Sequence, residues 1–175
     1  MFTSFNEMIE EEMGITVWER ILKEVNPDSL GIYTAVEDYD DQEIFDLVNA
    51  LSEITKISVS DLVKYYGNYL FRVLIKKYSV FTENIDDYFQ FLESIDGVIH
   101  KEVKKLYVNP NLPKLTCEKI VKKTLKMRYE SPRKLCHLAE GLIKGAAAHY
   151  SEKYLLNHNK CMHEGDEYCE FIIRR

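Results

Sequence analysis

The sequence predicts an α+β fold, in which an N-terminal helical part is followed by a four-stranded antiparallel sheet with one helix packed on it. Apolar residues recur at helical spacing through roughly the first hundred residues. After Tyr107 the pattern changes, because "VNPNLP" contains two prolines in six residues and alternating segments follow it. We therefore predict one domain over residues 1–175, with a helical part at about 1–107 and a sheet-containing part at about 108–175 that is too small to fold alone.

Apolar stripes at helical spacing predict each helix of the first part. Their members are Phe5, Met8, Ile9 and Met13; Val17, Trp18, Ile21, Leu22 and Val25; Ile44, Phe45, Val48 and Leu51; Leu62, Tyr66, Tyr69, Leu70, Val73 and Leu74; and Tyr88, Leu92, Ile95 and Ile99. Pro27 ends the second stripe. Ser58 with Asp61 resembles a capping box before the fourth. Asp86–Asp87 suits the first turn of the fifth, because acidic side chains stabilise helix N-termini.

The second part predicts a hairpin, a helix and two further strands. Lys114 to Tyr129 alternates in polarity, with a turn near Lys122–Lys123. Leu135 to Tyr150 is rich in alanine and glycine and predicts a helix. Gly141 and Gly145 lie four residues apart on it, so another element is expected to approach its backbone closely. "KYLLNHNKC" and "EYCEFIIRR" predict the last two strands, joined by "MHEGDE".

The composition argues against two classes of partner. The net charge is −6, which is unlike the basic face of a nucleic-acid-binding protein. No apolar run approaches the roughly 18 residues of a membrane span, so membrane insertion is not expected. The N-terminal "MFTSFNEMIEEEMG" lacks the basic and apolar regions of a secretory signal. We therefore expect a cytoplasmic protein, in which the four cysteines are thiols or metal ligands.

Two polar features are candidates for ligand binding. His100 ends an apolar helical face, where it serves either as a metal or haem ligand or as a C-terminal histidine stabilised by the helix dipole. Tyr129, Ser131 and Arg133 stand at alternating positions, so a strand would project them to one side as an anion clamp. The alternative for these three residues is a solvated strand end that Pro132 terminates.

The C-terminal region carries a candidate zinc site. His158 and Cys161 are three residues apart, Cys169 follows eight residues later, and Cys136 lies upstream. One nitrogen and three thiolates form a known tetrahedral zinc ligand set. The alternative is a group of buried thiols without a metal. Alternative nitrogen ligands are His137 and His163.

Motifs of common hydrolases and transferases are missing from the sequence, which contains no GxSxG, P-loop, GxGxxG or HExxH. The carboxylates read as solvated helix faces. The residues therefore give no indication of a hydrolase or transferase site.

Taken together, these features resemble the H-NOX family of haem-nitric oxide/oxygen-binding domains, and the resemblance covers essentially the whole chain. Its most specific part is the YxSxR motif formed by Tyr129, Ser131 and Arg133. "IDGVIHKEVKKLY" resembles the family's proximal-histidine segment, "EGLIKGAA" its helix over the haem pocket, and "HNKCMHEGDEYC" the zinc-binding tail of some bacterial members. In one departure, Val108 and Asn109 separate Tyr107 from a proline that often follows directly in the family.

The resemblance implies a haem b buried between the helical part and the sheet, and a Zn²⁺ ion at the tail. His100 would be the axial iron ligand. The haem propionates would be bound by Tyr129, Ser131 and Arg133. Further haem contacts would come from Pro113, which bends the haem, and from Leu138 and Leu142 in the distal pocket. The zinc ligands would be Cys136, His158, Cys161 and Cys169, in a structural or redox-sensing role.

The resemblance also implies a sensor of nitric oxide. Oxygen-binding members place a tyrosine five residues after the motif's arginine, where this chain has Leu138. An apolar distal side favours NO over O₂, because bound O₂ gains more from a hydrogen-bond donor. NO binding would weaken the bond between iron and His100 and release the helix that carries it. The signal would pass to a separate partner, a histidine kinase or a cyclic-di-GMP enzyme.

Two other interpretations remain open at this point. One is a haem-free, zinc-stabilised interaction or small-ligand-binding domain. The other is a haem oxygenase or peroxidase, with His137 or His149 as the distal acid–base group. Leu138 at the expected ligand position disfavours the enzyme.

Overall fold

The structure is a computed structural model that describes residues 1–34, 37–106 and 110–175. Its α-helices are α1 (Phe2–Met13), α2 (Ile15–Val25), α3 (Asp41–Thr55), α4 (Val59–Lys77), α5 (Tyr88–Ser94), α6 (His100–Leu106) and α7 (Cys136–His149). Short 3₁₀ turns cover Ser79–Phe81 and Met162–Glu164. In the described part of the chain, no helix combines the length and the hydropathy that crossing a membrane requires. The departure predicted at Val108 and Asn109 lies outside the described residues.

Side chains cap the N-termini of three helices, α3, α4 and α5. The Ser58 hydroxyl accepts a hydrogen bond from the Asp61 amide at 3.1 Å, which confirms the predicted start of α4. Asp87 caps α5 by accepting from the backbone N–H of Gln90 at 2.9 Å. Asp40 caps α3 in the same way. Each cap satisfies a backbone donor that the first turn of a helix leaves unpaired.

The helical run around His100 differs from the prediction. A π-helical segment, Ile95–Ile99, follows α5 and leads directly into α6. His100 is the first residue of α6, so the alternative that placed it at a helix C-terminus is wrong. The helix continues because "KEVKKL" supplies further helix formers, including a Glu102–Lys105 pair at 2.6 Å.

The sheet has the strand order β1-β2-β4-β3, with all neighbours antiparallel. Its strands are β1 (Lys114–Val121), β2 (Thr124–Glu130), β3 (Leu155–Lys160) and β4 (Cys169–Arg174). The predicted hairpin is confirmed, because β1 and β2 flank Lys122–Lys123 and pair from Lys114 opposite Glu130. The inward residues of β2 and β4 form one core with α7.

The helical part and the sheet part are joined where α4 crosses α7. Gly141 and Gly145 lie on the α7 face toward α4, which confirms the predicted close approach. A Cβ atom on Gly141 would collide with the carbonyl oxygen of Lys64 and would lie 2.8 Å from the Cα of Gly67. A Cβ atom on Gly145 would collide with Phe71. The two helices can therefore pack at this distance only with glycine at the crossing.

Replacing Gly141 with alanine is expected to destabilise the protein. The added methyl group meets backbone rather than a flexible side chain, so overpacking of about 1–3 kcal/mol is expected. The measurement is thermal unfolding, with a loss of roughly 2–4 °C for each kcal/mol. The matched control is Gly97→Ala, because no atom lies within 4 Å of a Cβ atom built at Gly97. Equal melting temperatures of the two variants would contradict the steric argument.

Candidate functional site

The side chain of His100 is oriented by a carboxylate. It is 12% exposed, and its Nδ1 lies 3.2 Å from Oδ1 of Asp96, one turn earlier. An ionised carboxylate only accepts hydrogen bonds, so Nδ1 is assigned as the donor and the lone pair lies on Nε2. Metal-binding histidines commonly have this arrangement, in which a carboxylate fixes the tautomer and the ring orientation.

Asp96 also connects His100 to the sheet. The same oxygen, Oδ1, accepts a hydrogen bond from the backbone N–H of Leu115 in β1 at 3.3 Å. Pro113 is half-buried and immediately precedes β1. The position of the His100 ring therefore depends on the edge strand as well as on its own helix.

Of the YxSxR residues, Tyr129 lies on β2, whereas Ser131 and Arg133 follow the end of the strand, so the prediction that one strand projects all three is wrong. Tyr129 is 3% and Ser131 4% exposed, so the alternative of a solvated strand end is wrong. The Ser131 hydroxyl accepts from the backbone N–H of Arg133 at 3.3 Å. Burial raises the pKa of Tyr129, while its hydrogen bonds to Ser131 and to the backbone of Leu135 act in the opposite direction. The three residues thus form one linked group, although β2 itself ends at Glu130.

The guanidinium of Arg133 has unused donor capacity. One terminal nitrogen pairs with Asp41 at the start of α3. The Nε atom is buried and has no hydrogen-bond partner among the described residues. A buried donor of this kind needs an acceptor, and the carboxylates of a haem are suitable acceptors. Together with the lone pair that the Asp96 contact assigns to Nε2 of His100, these residues fit a haem group.

The predicted distal residues are apolar and contribute to the core. Leu138 is 8% exposed and packs with the helical-part core. Leu142 is partly buried and contacts both core clusters. Neither side chain can donate a hydrogen bond. Among the described residues, no hydrogen bond or ion pair joins His100 to the YxSxR group.

The four predicted zinc ligands come together. The ligand atoms of Cys136, His158, Cys161 and Cys169 all lie within 4.8 Å of one another, although Cys136 lies on α7, His158 on β3, Cys161 directly after β3 and Cys169 on β4. The Sγ atoms of Cys136 and Cys161 are 3.9 Å apart. The Nε2 atom of His158 is buried and has no partner among the residues described. This donor set and the unpaired nitrogen fit a tetrahedral zinc ion.

Without a metal, the cysteine cluster favours neutral thiols. Burial, together with the neighbouring Cys169 and Cys161 thiols, raises the pKa of Cys136. Burial likewise raises the pKa of Cys169. A bound metal would offset these effects, because it stabilises the thiolates and releases their protons. Cys117 is separate, and its thiol donates to the Leu92 carbonyl at 3.6 Å.

The alternative nitrogen ligands His137 and His163 lie within 4.8 Å of Cys136, and each has one ring nitrogen in a hydrogen bond. The Nδ1 of His137 lies 3.1 Å from Oε1 of Glu140. The Nε2 of His163 lies 2.7 Å from the carbonyl oxygen of Lys134. Among these histidines, His158 is the one that groups with all three cysteines, whereas His137 and His163 group with Cys136 alone.

Sequence reasoning missed three carboxylates that contact the site. Asp96 lies four residues before His100, so helical spacing could have identified it. Asp41 and Glu140 are 92 and 18 residues from Arg133 and His158, and no local pattern reveals these two contacts. Burial alone would raise the pKa of Glu140, but hydrogen bonds from His137, His158 and Lys64 hold it well below its usual range.

A family model matches most of the chain. The model described as haem-NO-binding matches residues 1–158. This chain belongs to the H-NOX family. H-NOX domains are sensor domains, which confirms the prediction of a non-enzymatic protein and excludes the haem oxygenase or peroxidase interpretation.

Solved H-NOX structures share the fold. A crystal structure of an H-NOX protein from Shewanella oneidensis in the Fe(II)NO ligation state has 33% identity and a TM-score of 0.92, covering 99% of this chain and 96% of that one. An H-NOX from Shewanella woodyi in the Fe(II)CO state has 35% identity and a TM-score of 0.85, covering 99% and 92%. Unliganded H-NOX from K. algicida has 29% identity and a TM-score of 0.87, covering 99% and 93%. The predicted α+β fold is confirmed.

Proposed function

We propose that the chain is a haem-based sensor that binds nitric oxide at ferrous iron, excludes O₂ and signals to a separate protein. The observation that carries this proposal is the Asp96–His100 pair, which leaves the His100 Nε2 lone pair free for a metal. The unpaired Nε atom of Arg133 supports it, because it provides a buried donor for a propionate. Membership of a haem-NO-binding family makes haem the expected group.

Each predicted haem residue has a definite task in this proposal. His100 would hold the iron through Nε2. Tyr129, Ser131 and Arg133 would bind the propionates, with Asp41 keeping the guanidinium in place. When bound, haem would supply an iron that binds a diatomic gas. The half-buried ring of Pro113 would press on the haem.

The distal side accounts for the choice of gas. Leu138 and Leu142 offer only apolar surface. Bound O₂ carries partial negative charge and is stabilised by a hydrogen-bond donor, whereas NO needs one much less. The proposed pocket therefore favours NO.

Signal output in this proposal starts at α6. His100 is its first residue, and the exposed Lys101, Lys104 and Lys105 follow. Loss of the bond between His100 and the iron would leave α6 held at this end by the Asp96 hydrogen bonds. A helix that loses one of its attachments can shift between two positions. The expected partner is a histidine kinase or a cyclic-di-GMP enzyme.

The test is the absorption spectrum of the reduced protein after haem has been supplied. A Soret band that shifts with NO and stays unchanged with O₂ is expected. A Soret band that shifts with O₂ would overturn the selectivity. If no Soret band forms, a haem-free, zinc-stabilised binding domain becomes the better interpretation, because the Cys136–His158–Cys161–Cys169 cluster does not depend on haem.

Replacing Leu138 with tyrosine is expected to create O₂ binding. A hydroxyl on the distal side can donate to bound O₂, and such a hydrogen bond is worth about 0.5–1.5 kcal/mol, or roughly a two- to tenfold gain in affinity. The measurement is O₂ titration of the ferrous protein. The control Leu138→Phe supplies the same ring without the hydroxyl. If both variants gain O₂ affinity equally, the donor argument is wrong.

We also propose that the cysteine cluster holds zinc through Cys136, His158, Cys161 and Cys169. The support is the short spacing of the four ligand atoms and the unpaired Nε2 of His158. The zinc would fasten the start of α7 to β3 and β4, which is a structural role. Thiolate ligands are also oxidisable, so a redox-sensing role is compatible with the same site.

A further inference from the structure

Glu140 occupies a junction on α7 between the cysteine cluster and α4. Its Oε1 lies 2.8 Å from Nδ1 of His158. The same oxygen lies 3.1 Å from Nδ1 of His137. Its other oxygen, Oε2, pairs with the ammonium of Lys64 on α4 at 3.0 Å. The Glu140 side chain is only 12% exposed, so these contacts lie largely out of solvent.

The orientation of His158 follows from this carboxylate. Since a carboxylate accepts hydrogen bonds, Nδ1 of His158 donates and Nε2 carries the lone pair. Nε2 is buried and has no partner among the described residues, and it is the ring nitrogen left for the cluster that His158 forms with the three cysteines. Glu140 therefore selects the tautomer that can bind a metal through Nε2.

A second metal ion at Glu140 is a poor alternative. His137, Glu140 and His158 do bring three potential ligand atoms close together. However, the Lys64 ammonium already pairs with the carboxylate, and both histidines direct an Nδ1 donor rather than a lone pair at it. A cation there would have to displace all three partners.

Lys64 gives the junction its second connection. Its side chain pairs with Glu140, and its backbone carbonyl lies against Gly141, the next residue of α7. Both parts of Lys64 therefore contact α7 at the crossing. A change in the position of His158 is transmitted to α4 through one carboxylate and one helix contact.

We propose that Glu140 is the positioning residue of the zinc ligand His158 and that, through Lys64, it couples zinc occupancy to helix α4. This inference rests on the proposed zinc site. With zinc bound, Nδ1 of His158 keeps its proton and donates to Glu140. The ordered carboxylate then holds Lys64, so α4 is more protected in the zinc-loaded protein than in the metal-free one.

The first test measures zinc affinity by competition with a chromophoric chelator, using full-length protein whose fold is checked by circular dichroism. Glu140→Gln keeps the shape but removes the charge, and a roughly 10- to 100-fold weaker affinity is expected. The control Glu164→Gln removes an exposed charge in the same C-terminal region and should change affinity by about twofold at most. If Glu140→Gln behaves like this control, the positioning role is wrong while the zinc site stands. If the wild-type protein binds no zinc, the zinc proposal itself fails.

The second test requires no change at Glu140. Imidazole NMR of the zinc-loaded wild-type protein should show a protonated, slowly exchanging Nδ1 on His158, and an unprotonated Nδ1 would overturn the proposal. Zinc loading should also slow amide exchange at residues 61–68 of α4. Lys64→Met should abolish that slowing while reducing zinc affinity less than Glu140→Gln does. If α4 exchange is the same with and without zinc in the wild type, the coupling is wrong.

Discussion

Replacing His100 with glycine will remove the only proposed bond between the polypeptide and the haem iron. We expect the ferrous variant to lose the absorption spectrum of the histidine-bound form and most of its bound haem. Added imidazole should restore the spectrum, because the small ligand replaces the missing ring and binds through the same kind of nitrogen. The measurement is the Soret spectrum of the reduced protein with and without imidazole, together with the haem content after gel filtration.

The same variant separates iron ligation from the helix tether. In the wild type, NO should accelerate amide exchange across residues 100–106, since α6 loses its connection to the iron. In His100→Gly with imidazole, exchange there should already be fast and should not respond to NO. An NO response that persists in this variant would contradict signalling through α6.

A matched histidine variant controls for the loss of a ring in general. His149 is exposed at the last residue of α7 and contacts neither the cysteine cluster nor Asp96 in the described structure. His149→Gly should therefore retain the wild-type spectrum without imidazole. If it loses haem as His100→Gly does, the effect comes from destabilisation of the fold rather than from ligation.

Most of the fold could be predicted because its signals are local. The Lys122–Lys123 turn, the α7 helix and the Ser58 cap each depend on a few neighbouring residues. The π-helical segment Ile95–Ile99 was not predicted. Its apolar spacing resembles that of an ordinary helix, and the widened turn places His100 at the start of α6.

The sequence alone suggests the candidate ligands of the site. It does not suggest the carboxylates that contact them. Residue type and spacing are enough to propose His100, the YxSxR group and the cysteines as ligand-binding residues. Asp41 and Glu140 were missed, since their contacts with Arg133 and His158 span 92 and 18 residues. Only the packing of α3 and α7 brings these charges to their partners.

Helix α7 contributes residues to both proposed sites. Cys136 begins the helix in the zinc cluster, and Leu138 and Leu142 lie toward the core of the helical part. Glu140 lies between them and contacts a zinc ligand and α4. Because a helix transmits displacement along its length as a rigid element, the two sites are expected to influence each other's stability.

Replacing Cys161 with serine is expected to abolish tight zinc binding and to lower stability strongly. The thiol is 8% exposed, and it closes a cluster drawn from three elements. Zinc that binds only the folded state contributes about 4 kcal/mol when its free concentration is a thousand times the Kd. The wild-type melting temperature should exceed that of the variant by roughly 8–16 °C in a protein of this size.

Chelation distinguishes loss of zinc from loss of packing. A chelator should lower the melting temperature of the wild type toward that of Cys161→Ser and should leave the variant unchanged. Cys117→Ser is the matched control, because Cys117 is a partly buried cysteine outside the cluster, and this variant should keep both its zinc and its response to the chelator.

If Cys161→Ser unfolds at the wild-type temperature, the structural role is wrong, and a zinc ion that still binds there would act only as a redox sensor. If the chelator has no effect on the wild type while Cys161→Ser remains unstable, the thiol stabilises the fold by packing alone. The loss of buried packing contacts lowers stability whether or not a metal is bound.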